Sequence, residues 1–167
     1  MLGIFFKAVA ADIAILATGD TFTTVLALIT ANTAGYRLWL HSLEIGPGEG
    51  TPVDKCARVR IQRINGITAA GTPASTIATS AISKADFGSI DSLASAGINY
   101  GGGANEPTTF ETNAPFEMNY NTRGGLMKEW SFAGSPKILQ NSILACRVAP
   151  EDATSLVQTV TLEFGCY

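Results

Sequence analysis

The side chains able to carry chemistry are few and scattered. There is one histidine, His41, and three cysteines, Cys56, Cys146 and Cys166. One imidazole cannot build a multi-histidine metal site. The thiols include no CxxC pair, so neither a zinc site nor a disulfide framework is spelled out. The cysteines read as free, mostly buried thiols; a Cys146–Cys166 bridge would require their strands to lie side by side. His41 has no G-x-S-x-G elbow or other nucleophile motif to serve as a base. Alternation places it on the face of Trp39, where it packs or takes a hydrogen bond.

The carboxylate neighbours Glu49/Asp54, Asp86/Asp91 and Glu151/Asp152 lack the D-x-D-x-D-G order of a calcium loop. Asp152 reads as capping a turn beside Pro150. The glycine groups at 46–50 and 101–103 are not followed by GK[ST], so they read as turns and not as phosphate loops. No catalytic, cofactor-binding or metal-ligating residue is assigned, and no cofactor is expected.

Arg58, Arg60 and Arg63 form the densest basic stretch, but Lys and Arg total 11 against 14 acids, a net charge of −3. Phosphate neutralisation needs clustered, unopposed cations. The arginines therefore read as a solvated or interface strand face, and nucleic acid is not an expected partner. Tyr36, Trp39, Tyr100, Tyr120 and Trp130 read as core or subunit interface, with a sugar-stacking platform as the alternative. Trp130 follows a Gly-Gly turn and a Lys-Glu pair, which leaves it partly exposed.

The elements that must position these residues are strands. Period-two alternation dominates. In residues 155–164, Leu156, Val160, Leu162 and Phe164 share one face, with Gln158 as the exception. In residues 56–64 (CARVRIQRI), Val59 and Ile61 point inward while Arg58 and Arg60 share the other face. Two runs carry apolar groups on both faces. Residues 21–30 (TFTTVLALIT) set Phe22, Leu26 and Leu28 against Val25, Ala27 and Ile29. Residues 36–45 (YRLWLHSLEI) set Tyr36, Leu38 and Leu40 against Trp39, Leu43 and Ile45. A strand apolar on both faces must be covered twice. A neighbouring subunit often supplies the second cover, so Val25, Ile29, Tyr36, Leu38 and Leu40 are expected to meet a sister subunit or the core, and with Trp130 they are the oligomer-interface candidates.

Residues 143–148 and 137–139 read as further short strands, and 1–20 as an N-terminal arm or edge strand. Residues 65–111 change character, being rich in Ala, Ser, Thr and Gly. They predict a long loop excursion with a short helix near 89–96. There is no repeat and no linker, so 1–167 is expected to form a single domain. Its length allows a core that buries roughly 70% of the unfolded surface. Several short strands with turn punctuation predict an all-β fold, a jelly-roll-like antiparallel β-sandwich.

Charged residues make up only 15%, against about 25% in an average soluble protein. Such a neutral surface suits broad contact with other protein. No stretch approaches the roughly 20 apolar residues of a spanning helix. Asp12 interrupts the N-terminal apolar stretch and no positive n-region precedes it, so no signal peptide or membrane contact is expected.

Several segments in order resemble the small jelly-roll cement or decoration proteins of tailed-phage heads. Ile4-Phe5-Phe6 leads to Thr30-Ala31-Asn32 and then to the Leu-x-Ser-Leu-Glu run from Leu40 to Glu44. Val59-Arg60-Ile61-Gln62-Arg63 is similar to a V-R-[IL]-x-R strand, and a Thr/Ala/Gly stretch follows at 68–73. Asn121-Thr122-Arg123-Gly124-Gly125 with Trp130 is similar to N-x-R-G-G-x-x-W, though two residues separate Gly125 from Lys128-Glu129-Trp130, a longer spacing to the tryptophan. The chain closes on Leu162-Glu163-Phe164. The resemblance implies a non-enzymatic virion protein, assembled in the host cytoplasm and seated as a homotrimer on the outer surface of the capsid. Its partner would be the major capsid protein, reached by the excursion and the N-terminal arm. A carbohydrate- or receptor-binding jelly roll and a small jelly-roll coat protein are the alternatives.

Overall fold

Alternation of β-branched and apolar residues is realised as twelve strands among the described residues. The computed structural model describes residues 4–15, 21–30, 37–49, 54–65, 71–78, 82–84, 94–101, 103–152 and 155–166. The strands are β1 (Ile4–Ile15), β2 (Thr23–Thr30), β3 (Leu38–Pro47), β4 (Cys56–Asn65), β5 (Ser75–Ile77) and β6 (Ser83–Lys84). They continue with β7 (Ala94–Ile98), β8 (Phe116–Asn121), β9 (Leu126–Glu129), β10 (Lys137–Ile138), β11 (Ser142–Pro150) and β12 (Leu156–Cys166).

Two antiparallel sheets result. Sheet A runs β10-β3-β12-β1-β6, with β9 also on β3; sheet B runs β5-β7-β2-β11-β4-β8. The pairings β1·β12, β2·β11, β3·β9/β10 and β4·β8 describe one long hairpin folded back on itself. That ribbon is wrapped so that β12 also pairs β3 and β11 also pairs β4. This is the wrap of a jelly-roll sandwich, as expected. Closing it places sequence-distant strands in register, so its stability rests on non-local pairs.

The core lies between the sheets. Phe6, Ile15, Leu40, Leu43, Leu162 and Phe164 of sheet A meet Leu26, Leu28, Val59, Ile61, Leu144 and Cys146 of sheet B, all at most 1% exposed. Burying each large side chain contributes roughly 1.5–3 kcal/mol. Gln158, the polar exception on β12, is 2% exposed, and its amide oxygen accepts a bond from the buried Tyr120 hydroxyl at 3.2 Å.

Two bulges change the faces that strict alternation predicts. Opposite β11, the register slips between Cys146, which faces Leu26, and Arg147, which faces Thr24. Val25 is the extra residue. It joins Leu26 and Leu28 in the core, and Phe22 turns to the outer side. Opposite β12, the register slips between Glu163, which faces Ser42, and Phe164, which faces Leu40. His41 is the extra residue there, and Leu38, Leu40, Leu43 and Ile45 all reach one core. A bulge places two residues against one and flips everything beyond it. Much of the double apolarity of these strands is therefore one apolar face interrupted by a bulge.

The excursion departs from expectation, and the N-terminal segment does so in part. β1 is no free arm: β12 lies along one side, while on the other β6 pairs only Phe6 and Lys7, so among the described residues the rest of β1 borders sheet A as an edge. The described part of the segment expected to be helical, from Ala94 onward, is strand β7, hydrogen-bonded along β2. Its Ala, Ser and Gly side chains are small, and partnership with the β2 edge decides its conformation. The rest of that segment lies outside the described residues. The excursion thus extends both sheets, through β5 and β7 on sheet B and β6 on sheet A.

Candidate interaction surfaces

The outer side of sheet B carries charge and aromatic groups in ordered rows. Thr24, Arg147, Arg60 and Glu117 stand in register across β2, β11, β4 and β8. Arg60 bonds Glu117 through Nε at 2.9 Å, and Arg58 lies 3.9 Å from the same carboxylate. The ring of Phe22 lies beneath these cations, 4.2 Å from the Arg60 guanidinium carbon and 5.3 Å from that of Arg58. Both arginines stand on one strand face, as expected.

Arg147 is the hub. Its Nη1 donates to Gln62 Oε1 and its Nη2 to the Phe22 carbonyl, both at 2.9 Å. The Phe110 ring lies 3.8 Å from its guanidinium carbon. Burial pulls its pKa down, the Glu106 carboxylate opposes that shift, and Arg60 adds to it. Glu106 accepts the Thr24 N–H at 2.8 Å and the Thr24 hydroxyl at 2.5 Å. Arg63 reaches Glu111 at 3.7 Å, and Gln62 Nε2 donates to the Glu111 carbonyl at 3.1 Å. The return of the excursion is thereby clamped onto sheet B.

Beneath that clamp lies a second apolar cluster of Ala27, Ile64, Tyr100, Ile143 and Ala145, with Ile29 and Phe110 against it. The register aligns Gly97, Ala27 and Ala145 across β7, β2 and β11. Gly97 lies under the Tyr100 hydroxyl, where a Cβ would overlap the phenol. Burial first, and Glu106 second, push the Tyr100 pKa up to about 12. The chain's own excursion therefore supplies a second cover for β2.

The outer side of sheet A carries an aromatic row. Lys137, Trp39, Gly165 and Phe5 stand in register across β10, β3, β12 and β1. The indole of Trp39 lies against Gly165, and a Cβ there would overlap the indole nitrogen. Phe5, His41 and Phe132 surround it at centroid distances of 5.4, 5.4 and 5.4 Å, and Phe5 is 5.0 Å from His41. His41 thus packs with Trp39, as alternation suggests, and its Nδ1 is buried without a hydrogen bond. The Lys137 ammonium sits 3.8 Å from the Phe132 ring centre, and burial lowers its pKa. Phe132 itself is 49% exposed.

The corner between the sheets is built by residues 121–125. Asn121 Oδ1 accepts the N–H groups of Arg123 at 2.9 Å and Gly124 at 3.1 Å, and its carbonyl accepts Gly125 N–H at 2.9 Å. Gly125 has φ of +72°, and a Cβ would strike the Ile45 carbonyl oxygen. Asn and Gly suit a tight turn for these reasons. The turn carries the chain from β8 in sheet B to β9 in sheet A.

The interface candidates separate. Val25, Leu38 and Leu40 are 0–1% exposed within the sandwich core, so they present no surface to a sister subunit. Of the two covers expected for these positions, sister subunit or core, all three take the core, which corrects their place among the interface candidates: the bulges set them on the inner face. Ile29 is half-buried beneath the excursion. Trp130 is half-buried, edge-on to Phe116 at 5.3 Å. Tyr36 lies outside the described residues. Among the described residues, the large apolar groups left on the surface are Met118, Met127, Phe132, Leu139 and Val157.

Arg147 and Phe110 escaped the reading of the sequence, although a lone arginine inside ILACRVAP is a signal of a buried partner. Cys146 is a free, buried thiol in sheet B, and Cys166 ends β12 in sheet A, so their strands do not lie side by side. Among the described residues, no group of three or more His, Cys, Asp or Glu stands ready for a metal. No family model, curated protein or solved structure matches the chain.

Proposed function

We propose that this protein is a non-enzymatic component of a tailed-phage head, a cement or decoration protein that assembles on the outer surface of the shell as a homotrimer. One observation carries the reading: the segments that bear the resemblance are those that build the jelly roll. Val59 to Arg63 form the centre of β4, with Val59 and Ile61 in the core. Asn121 to Gly125 form the corner between the sheets. Leu162 and Phe164 lie on the core side of β12. The acidic balance is consistent with a protein that braces a DNA-filled shell without binding DNA.

The contacts fall to the apolar groups left outside, Phe132, Leu139, Val157, Met127 and the half-buried Trp130. Each is small, and seating one oligomer on several capsomers multiplies them through effective concentration. The test is sedimentation of the purified protein with heads assembled from the same phage's shell protein alone. A trimer that co-sediments at a saturable ratio is expected. A monomer that ignores the shells and is retained on a glycan array would overturn the proposal in favour of a receptor-binding module.

A further inference from the structure

Sheet edges expose unpaired backbone groups, and proteins blunt them with short strands, lysine, proline or bulges. The other described edges follow this rule. β6 and β10 have two residues each, β5 has three, the four-residue β9 carries Lys128, and the side of β1 left open beyond Lys7 is bulged between Ala10 and Ile13. The β8 edge does not. It is six residues long, FEMNYN, without lysine, proline or bulge. Its one charge, Glu117, is held by Arg60 and Arg58 on the neighbouring strand. Residues 117–119 are all exposed, and Met118 is 46% exposed.

The direction of the backbone groups follows from the register. Thr122 N–H bonds the Lys55 carbonyl at 2.9 Å, and Lys55 and Thr122 continue the β4·β8 register. Alternation then turns the N–H and C=O of Phe116, Met118 and Tyr120 toward β4, and those of Glu117 and Asn119 away from it. β8 is the last strand of sheet B, so these outward groups meet no further strand among the described residues.

We infer that the β8 edge pairs antiparallel with β8 of a second copy, about a twofold axis at Met118. This register sets Glu117 opposite Asn119 of the second copy, and the reverse, so that all four outward N–H and C=O groups of the two residues pair. The carboxylate of Glu117 then meets an amide donor. Phe116, Met118 and Tyr120 stay on one face and meet Tyr120, Met118 and Phe116 of the other copy. An axis at Asn119 would need the Asn121 carbonyl, which already accepts Gly125 N–H. An axis at Glu117 would oppose two like charges and would require an N–H from Pro115, which has none. The edge is thus self-complementary in one register. A six-residue edge makes a weak contact in solution and a useful one among copies held close together. The pairing stands on edge geometry alone and does not depend on the proposed shell contacts.

Disulfide trapping tests this. In a non-hydrogen-bonded antiparallel pair the Cα atoms lie about 4.5 Å apart, within the roughly 4.4–6.8 Å range of a disulfide. In a Cys56→Ser, Cys166→Ser background, Met118→Cys should form a covalent dimer on mild oxidation at least tenfold faster than Val157→Cys, an exposed site on sheet A. Adding Asn119→Pro removes an outward N–H while leaving the β4·β8 bonds intact, and it should abolish the difference. Cross-linking of Met118→Cys no faster than Val157→Cys would overturn the inference, as would persistence of the fast cross-link beside Asn119→Pro. Should the proline variant not fold, Asn119→Cys takes its place, and equal cross-linking at 118 and 119 counts against the register. No shell enters these measurements, so their failure and the failure of head binding are separate results.

Discussion

The Arg147 guanidinium lies 3.7 Å from the Glu106 carboxylate, with both side chains at least 87% buried. This pair joins the middle of β11 to the return of the excursion and seals the second apolar cluster. Removing one partner of a buried pair leaves the other charge uncompensated. Glu106→Gln is expected to destabilise the fold by about 3 kcal/mol, read by urea denaturation. Glu106→Gln with Arg147→Met should cost less than Glu106→Gln alone. A double-mutant cycle with no coupling would show that the excursion is held by its apolar contacts instead.

Tyr100 supplies a dependence on pH. Its hydroxyl is buried without a hydrogen-bond partner, and its pKa is raised from 10.0 to about 12. The unfolded phenol ionises first, so the unfolded state holds fewer protons between these values and stability falls as pH rises from about 10 to about 12. Tyr100→Phe should flatten that decline. At pH 7 the variant should match or exceed the parent by up to about 1 kcal/mol, because an unsatisfied hydroxyl is lost. Thermal melts across the alkaline range check both statements.

The corner turn separates two adjacent glycines. Gly125→Ala forces a side chain into a positive φ and against the Ile45 carbonyl, at a cost of about 2 kcal/mol or more. Gly124→Ala meets nothing closer than the Asn121 carbonyl at 4.0 Å, and it should change stability by less than about 0.5 kcal/mol. Equal effects at the two positions would remove the corner from the account of the motif.

Gly165 sets the position of Trp39. Gly165→Ala should lift the indole from sheet A, destabilising by about 1–3 kcal/mol through overpacking. In a Trp130→Phe background, the emission of Trp39 should shift to the red as the ring, 8% exposed in the parent, meets water. An unchanged spectrum would mean that the indole has room to slide along the strand.

The strand pattern was legible in the sequence because alternation is a local property. Leu156, Val160, Leu162 and Phe164 reached the core face as read, and so did Val59 and Ile61. Arg58 and Arg60 took the outer face together. The turn at Gly124-Gly125 was legible because only a few residue types fit such a turn. The partition of β2 and β3 was not, because a bulge leaves no reliable mark in composition. One extra residue at Val25, and another at His41, exchanges the faces of everything beyond it.

By itself, then, the sequence determined an all-β chain of short alternating strands with a long interruption between β4 and β8. These depend on side-chain period and turn chemistry, which act over a few residues. Only the tertiary structure decided what covers what. The Glu106–Arg147 pair spans 41 positions, and the small-residue row beneath Tyr100 draws on three strands. Such contacts exist only after the wrapped ribbon has closed, which is why the sequence alone left open what covers the second face of β2, and the chain's own excursion supplies that cover.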